Sequence, residues 1–117
     1  MTLLIADDSA GFRERTRKLL LNHSNVQIID ECSNGAEAMA IISEKKPDMV
    51  ILDIRMPIMN GIQVLKQLKQ QGTLIKKCVL TNYPYPQFKN KCMALGADYY
   101  LNKSDDFDKL NSVIENY

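Results

Sequence analysis

The chain has 117 residues, 45% of them apolar and 25% charged, with 15 Lys+Arg against 14 Asp+Glu. One hydrophobic core fits in that length without disulfide or metal staples. A net charge of +1 excludes a global field that would draw nucleic acid, a membrane or an acidic partner, so any charge-based function is local.

Short apolar runs alternate with helical patterns five times. Leu3 to Ala6 reads as a first strand, and it ends in Asp7 and Asp8. Two adjacent carboxylates at the mouth of a buried strand repel one another and call for a partner cation. The apolar start has no basic segment before it and is too short for a signal peptide. Phe12, Thr16, Leu19 and Leu20 then fall at helical spacing, with Ser9 as the cap. His23, the sole histidine, sits among Asn22, Ser24 and Asn25 and reads as a surface cap residue.

Val26 to Ile29 is the second strand, and Ser33 or Asn34 caps a second helix carrying Ala38, Ile41 and Ile42. Met49 to Leu52 is apolar throughout, as expected of a central strand covered on both faces, and it ends at Asp53. Ile62, Leu65 and Leu68 mark a third helix that stops at Gly72. Cys78 to Leu80 is the fourth strand, ending at Thr81, and Phe88, Cys92 and Leu95 mark a fourth helix that stops at Gly96. Asp98 to Leu101 is the fifth strand and leads into Lys103. Phe107, Leu110, Val113 and Ile114 form the last helix, with Ser104 as its cap. The pairs Lys45-Lys46 and Lys76-Lys77 read as solvated loop charge.

Five strands alternating with five helices predict an α/β domain with a parallel sheet. The three cysteines, Cys32, Cys78 and Cys92, are scattered and form no CxxC pair, so they read as core thiols of a reducing compartment. No segment reaches membrane-spanning length, and the expectation is a cytoplasmic protein.

The strand ends carry the chemistry. Asp7, Asp8, Asp53, Thr81 and Lys103 all fall at the carboxyl end of the sheet, where open α/β folds bind ligands. Three carboxylates and one ammonium leave a net charge of about minus two, which suits a divalent cation with hard oxygen ligands such as Mg²⁺. A carboxylate beside such a metal can act as nucleophile towards a phosphoryl group, with the cations neutralising charge on the equatorial oxygens. No glycine-rich phosphate loop follows a strand, so the motifs exclude a nucleotide-binding protein.

The segments IADDS, ILDIRMPIMNG, the threonine of VLTN and GADYYLNKS together resemble a two-component response-regulator receiver (CheY-like) domain, over essentially the whole chain. The resemblance implies one domain over residues 1–117, with a flavodoxin-like (βα)5 doubly wound parallel sheet in the order 2-1-3-4-5. It implies that Asp53 is the phosphoacceptor, with Thr81 binding the phosphoryl group and Lys103 pairing with it. Asp8 and Asp53 would ligate Mg²⁺ directly, with Asp7 acting through water and the backbone carbonyl of Arg55 completing the protein ligands. Tyr100 would be the aromatic switch that follows Thr81, remodelling the face made by helix 4, strand 5 and helix 5. Pro57 and Gly61 would shape the loop after Asp53.

The implied partners are a sensor histidine kinase or phosphotransfer protein, and a downstream protein or second copy on the helix 4–strand 5–helix 5 face. Neither direct nucleic-acid binding by this domain nor a membrane is implied. The domain reads as a regulatory switch rather than a turnover enzyme. An Asp-nucleophile phosphatase needs an acid two residues after the nucleophile, where this chain has Arg55. A phosphate-independent pseudo-receiver is the other alternative of a different class, although the chain retains every acid-pocket residue. The receiver portion of a longer DNA-binding regulator is the remaining one.

Three positions depart from the commonest receiver pattern. Ser104 stands where proline often follows the lysine, which leaves it free to cap the last helix. Asn82 stands where a small residue is usual, and with Arg55 it should border the entrance for water and set the lifetime of the phosphoryl group. Tyr83-Pro84-Tyr85-Pro86 predicts a stiff loop with the fourth helix starting near Pro86.

Overall fold

Strand formation follows the apolar runs. The structure is a computed structural model and describes residues 1–83 and 85–117; the stiffness expected at Pro84 lies outside them. The elements are β1 (Thr2–Ala6), α1 (Ala10–Leu20), β2 (Gln27–Cys32), α2 (Gly35–Lys45), β3 (Met49–Leu52), α3 (Gly61–Gln71), β4 (Lys76–Thr81), α4 (Pro86–Ala94), β5 (Tyr99–Asn102) and α5 (Lys109–Glu115). All strand pairs are parallel and the order is β2-β1-β3-β4-β5, as expected.

Alternation along the strands divides the core into two layers. Leu4, Ala6, Val50, Leu52 and Val79 pack under α2, α3 and α4 against Ala38, Ile42, Leu65, Leu68 and Cys92. Leu3, Ile5, Ile51, Cys78 and Leu80 pack under α1 and α5 against Leu20, Leu110, Val113 and Ile114. All four residues of β3 are buried, each worth roughly 1.5–3 kcal/mol relative to exposure. That anchorage fixes the point where β3 ends and Asp53 begins. Among the described residues, no helix is long and apolar enough to cross a membrane.

The caps explain where helices begin. Ser9 accepts the Phe12 N–H at α1, and Asn34, rather than Ser33, accepts the Glu37 N–H at α2. Asn60 and Gln63 form a reciprocal capping box at α3, which ends on Gly72 with φ of 65°. Pro86 opens α4 at its first turn, where no intrahelical donor is needed. The cysteines are free and buried, with each thiol pushed up by burial, that of Cys78 to about 12.

Three expectations are corrected. Ser104 does not cap α5, which starts at Lys109 after Asp108, with no side-chain cap bond. Instead the Asn102 side chain accepts the N–H groups of Ser104 (2.8 Å) and Asp105 (3.1 Å), and Asp106 accepts that of Asn102 (2.9 Å). Those side-chain bonds hold the chain in turns and delay the helix. Lys77 is not solvated: it lies buried in β4 with its ammonium on the Ile75 carbonyl at 2.9 Å. His23 caps nothing with its ring; Nε2 sits 2.8 Å from Asn111 Oδ1, bridging the end of α1 to α5.

Candidate functional site

β1 delivers Asp7 and Asp8 at the carboxyl edge of the sheet, and they differ in environment. Asp7 is buried, with Oδ1 accepting the Ser9 N–H at 2.9 Å and Oδ2 paired with Lys103 Nζ at 2.7 Å. Its N–H donates to the Cys32 carbonyl, and its own carbonyl accepts Arg13 Nη1 at 2.6 Å. Arg13 in turn lies 3.6 Å from Glu31, which Arg17 holds with two hydrogen bonds. Asp8 is exposed and makes no hydrogen bond or ion pair among the described residues.

Asp53 follows β3 and is tied to β1 by its N–H on the Ala6 carbonyl at 2.9 Å. Its Oδ1 accepts the Ile54 N–H at 2.7 Å and its Oδ2 accepts Lys103 Nζ at 3.0 Å. Burial raises the Asp53 pKa and the Asp7 charge adds to this, opposed by Lys103 and the Thr81 hydroxyl. For Lys103, burial works to lower the pKa. The hydrogen bond to Asp7, followed by the charge and hydrogen bond of Asp53, outweighs it and leaves the value raised. The ammonium is therefore fixed as a cation between two buried carboxylates.

Thr81, at the end of β4, has no exposed surface, and its carbonyl accepts the Lys103 N–H at 2.9 Å. Its hydroxyl also accepts the Tyr83 N–H at 3.4 Å. One carboxylate oxygen from each of Asp7, Asp8 and Asp53 lies within 4.8 Å of the others. A cavity of about 190 Å³ opens over them, lined by Asp8, Ser9, Asp53, Arg55, Asn82, Tyr83 and Lys103. Arg55 and Asn82 thus stand at its rim, with the Arg55 guanidinium 5.6 Å from the centre of the Tyr83 ring.

Tyr100 is placed differently. It lies on β5 outside the residues lining this cavity, half-buried, and its hydroxyl donates to the Tyr83 carbonyl. Burial pushes its pKa up to about 12.

The three acids, Thr81 and Lys103 thus come together, while Tyr100 reaches the cavity wall only through Tyr83. Several supporting groups escaped the sequence reading. Arg13 braces Asp7 through its backbone, and the Phe12 ring centre lies 4.3 Å from Lys103 Nζ. Both sit on the first turn of α1, where their helical spacing signals only a packed face. Gly61 is needed because a Cβ there would lie 2.2 Å from the Asp53 carbonyl oxygen, and Gly35 because one would lie 2.2 Å from the Met59 carbonyl oxygen.

A sequence profile described as "Response regulator receiver domain" matches residues 3–115. Sporulation initiation phosphotransferase F of Bacillus subtilis is 30% identical over 115 residues, covering 98% of this chain and 91% of that protein. The transcriptional regulatory protein YhcZ of the same organism is 33% identical over 110 residues, covering 94% of this chain. The chain spans about half the length of the transcriptional regulators it matches, 51% for YhcZ. Among solved structures, a DNA-binding response regulator of the LuxR family from Staphylococcus aureus superposes with a TM-score of 0.91 at 31% identity. That match covers 98% of this chain and 96% of the other.

Proposed function

The chain belongs to the response regulator receiver family, whose members are phosphorylation-activated signalling domains, and from that premise we propose that Asp53 is its phosphoacceptor. The observation that carries this reading is the convergence of Asp7, Asp8, Asp53, Thr81 and Lys103 on one edge of the sheet, with Asp53 facing an open cavity.

In the proposed step a carboxylate oxygen of Asp53 attacks the phosphorus of a phosphohistidine on a donor protein. The bond from phosphorus to the imidazole nitrogen breaks, and its electron pair leaves with the imidazole. The product is an acyl phosphate on Asp53. Lys103, already 3.0 Å from Asp53, is placed to pair with the phosphoryl oxygens, and the Thr81 hydroxyl donates to another. The donor set fits a divalent metal: three hard carboxylates within 4.8 Å of one another, with one lysine offsetting part of their charge. Mg²⁺ held there would draw charge off the phosphoryl oxygens. Asp8 and Asp53 would be its direct ligands, together with the Arg55 backbone carbonyl. Asp7 would be the outer member, acting through water, because Asp8 and Asp53 line the cavity and Asp7 does not.

Signalling follows from the Thr81–Tyr83–Tyr100 chain. When the Thr81 hydroxyl turns to the phosphoryl group it gives up the Tyr83 N–H. Tyr83 then shifts, and Tyr100 moves with the Tyr83 carbonyl it holds. A partner or second copy that prefers the resulting α4–β5–α5 face senses the phosphate as a population shift. The bulky rim residues Arg55 and Asn82 limit water entry and lengthen the acyl phosphate's life.

Intact-mass measurement after incubation with Mg²⁺ and a small phosphodonor tests the assignment. Wild type should gain one phosphoryl group, and Asp53→Ala or wild type in excess chelator should gain none. Wild type that stays unmodified, or an Asp53→Ala protein modified equally, would overturn it.

A further inference from the structure

Lys103 carries three N–H donors on an ammonium that is almost wholly buried. Two carboxylates account for two of them, Asp7 at 2.7 Å and Asp53 at 3.0 Å. Among the described residues no other oxygen receives this ammonium, and the remaining close neighbour is the Phe12 ring, its centre 4.3 Å from Nζ. An aromatic face is a weak anion to such a cation, and it counts for more where water is excluded.

The ring is also held in place. Phe107 meets Phe12 edge to face, with centres 5.4 Å apart and planes at 73°. The Arg15 guanidinium covers Phe107 from outside at 4.3 Å. A cation, two rings and a second cation thus run in series from the surface of α1 to the centre of the site.

We infer that Phe12 is a positioning residue for phosphorylation: its ring face is the third partner of the Lys103 ammonium and keeps it between Asp7 and Asp53. An aliphatic side chain of similar bulk would exclude water equally well but would give the third donor nothing to meet. The ammonium would then swing more freely, and less of it would stand beside Asp53 when charge gathers on the phosphoryl oxygens. The consequence for rate rests on Asp53 being the phosphoacceptor; the contact itself does not.

The test replaces Phe12 alone with mono-, di- and trifluorophenylalanine, which withdraw electron density from the ring face at nearly constant size. Two quantities are read: the rate of phosphorylation by a small phosphodonor with Mg²⁺, and the rotation of the Lys103 ammonium by ¹⁵N relaxation in metal-free, donor-free buffer. The rate should fall stepwise with fluorination, by roughly three- to tenfold across the series. Phe12→Leu should lie at its slow end, and ammonium rotation should quicken in the same order. In a Lys103→Gln background the rate should no longer depend on fluorination. A rate flat across the series would overturn the positioning role, and flat ammonium rotation would overturn the contact. A wild type that takes up no phosphoryl group would sink the assignment of Asp53, while the relaxation series still decides whether the ring holds the lysine.

Discussion

Replacing Gly61 with alanine is the sharpest probe of how the loop after Asp53 is built. Gly61 opens α3, and its N–H donates to the Ile54 carbonyl at 2.7 Å. A Cβ there would lie 2.2 Å from the Asp53 carbonyl oxygen, 2.9 Å from Ile54 Cα and 3.0 Å from the Asp53 carbonyl carbon. Ordinary contact starts at 3.4 Å, so the nearest atom must retreat by 1.2 Å (3.4 less 2.2). That atom is backbone and has no rotamer to escape into. Overpacking of this kind costs about 3 kcal/mol at the upper end of the usual range. Alanine recovers at most about 1 kcal/mol through helix propensity, which leaves a net loss of roughly 2 kcal/mol. Urea denaturation should show that loss as a lower midpoint. The displaced backbone belongs to Asp53, so phosphorylation by a small donor should fall much further, towards the hundredfold that follows about an ångström of misplacement. Gly11→Ala is the control: nothing lies within 4 Å of its Cβ, so it should match or exceed wild type in both assays. A Gly61→Ala protein with wild-type midpoint and wild-type rate would refute the argument that the close approach sets the position of Asp53.

Tyr100→Phe removes the hydroxyl that holds the Tyr83 carbonyl; stability should drop by about 1 kcal/mol in urea, and a phosphorylated variant should bind its partner or self-associate no better than the unphosphorylated form. Arg55→Ala and Asn82→Ala each open the rim of the cavity, and loss of the phosphoryl group followed by mass should quicken several-fold in both; an unchanged lifetime in either removes that residue from the gate. The Asp106 carboxyl is held below its ordinary pKa by the Asn102 N–H and by Lys109. A depressed carboxyl adds stability that is present above its unfolded value and is lost as pH falls through the folded one. Asp106→Asn should therefore lower the urea midpoint at neutral pH and converge with wild type in acid; a gap that persists at the acid end would refute the linkage.

The strands were legible because burial on both faces leaves continuous apolar runs, and β3 matches its run residue for residue. The edges were harder to read. β2 is the outer strand beside β1, and Gln27, Asp30 and Glu31 within it carry no apolar signal because that edge meets solvent. Lys77 was misread for the opposite reason: a charged residue next to another suggests water, yet its stem runs through the packed base of β4 and only a backbone carbonyl meets its ammonium. The start of α5 was misplaced because side-chain bonds from Asn102 and Asp106 compete with the helix, and such competition leaves no periodic trace.

The five polar groups of the site were legible for a simpler reason. Each stands at or just beyond the end of a strand, so a linear pattern of runs locates them without any knowledge of side-chain direction. The groups that hold them in place come from helices and loops, and there the sequence is silent. Arg13 and Phe12 differ from any surface helix residue only through what α1 lies against. Ile58 adopts φ of 69° while 82% exposed, a strained choice for a β-branched residue that glycine would relieve, and no spacing announces it. The polar groups gathered at the strand ends are thus placed by topology, which runs of residues encode directly. Their orientation depends on pairs far apart in the chain, such as Phe12 with Lys103 and Gly61 with Asp53, and only the folded structure brings these pairs together.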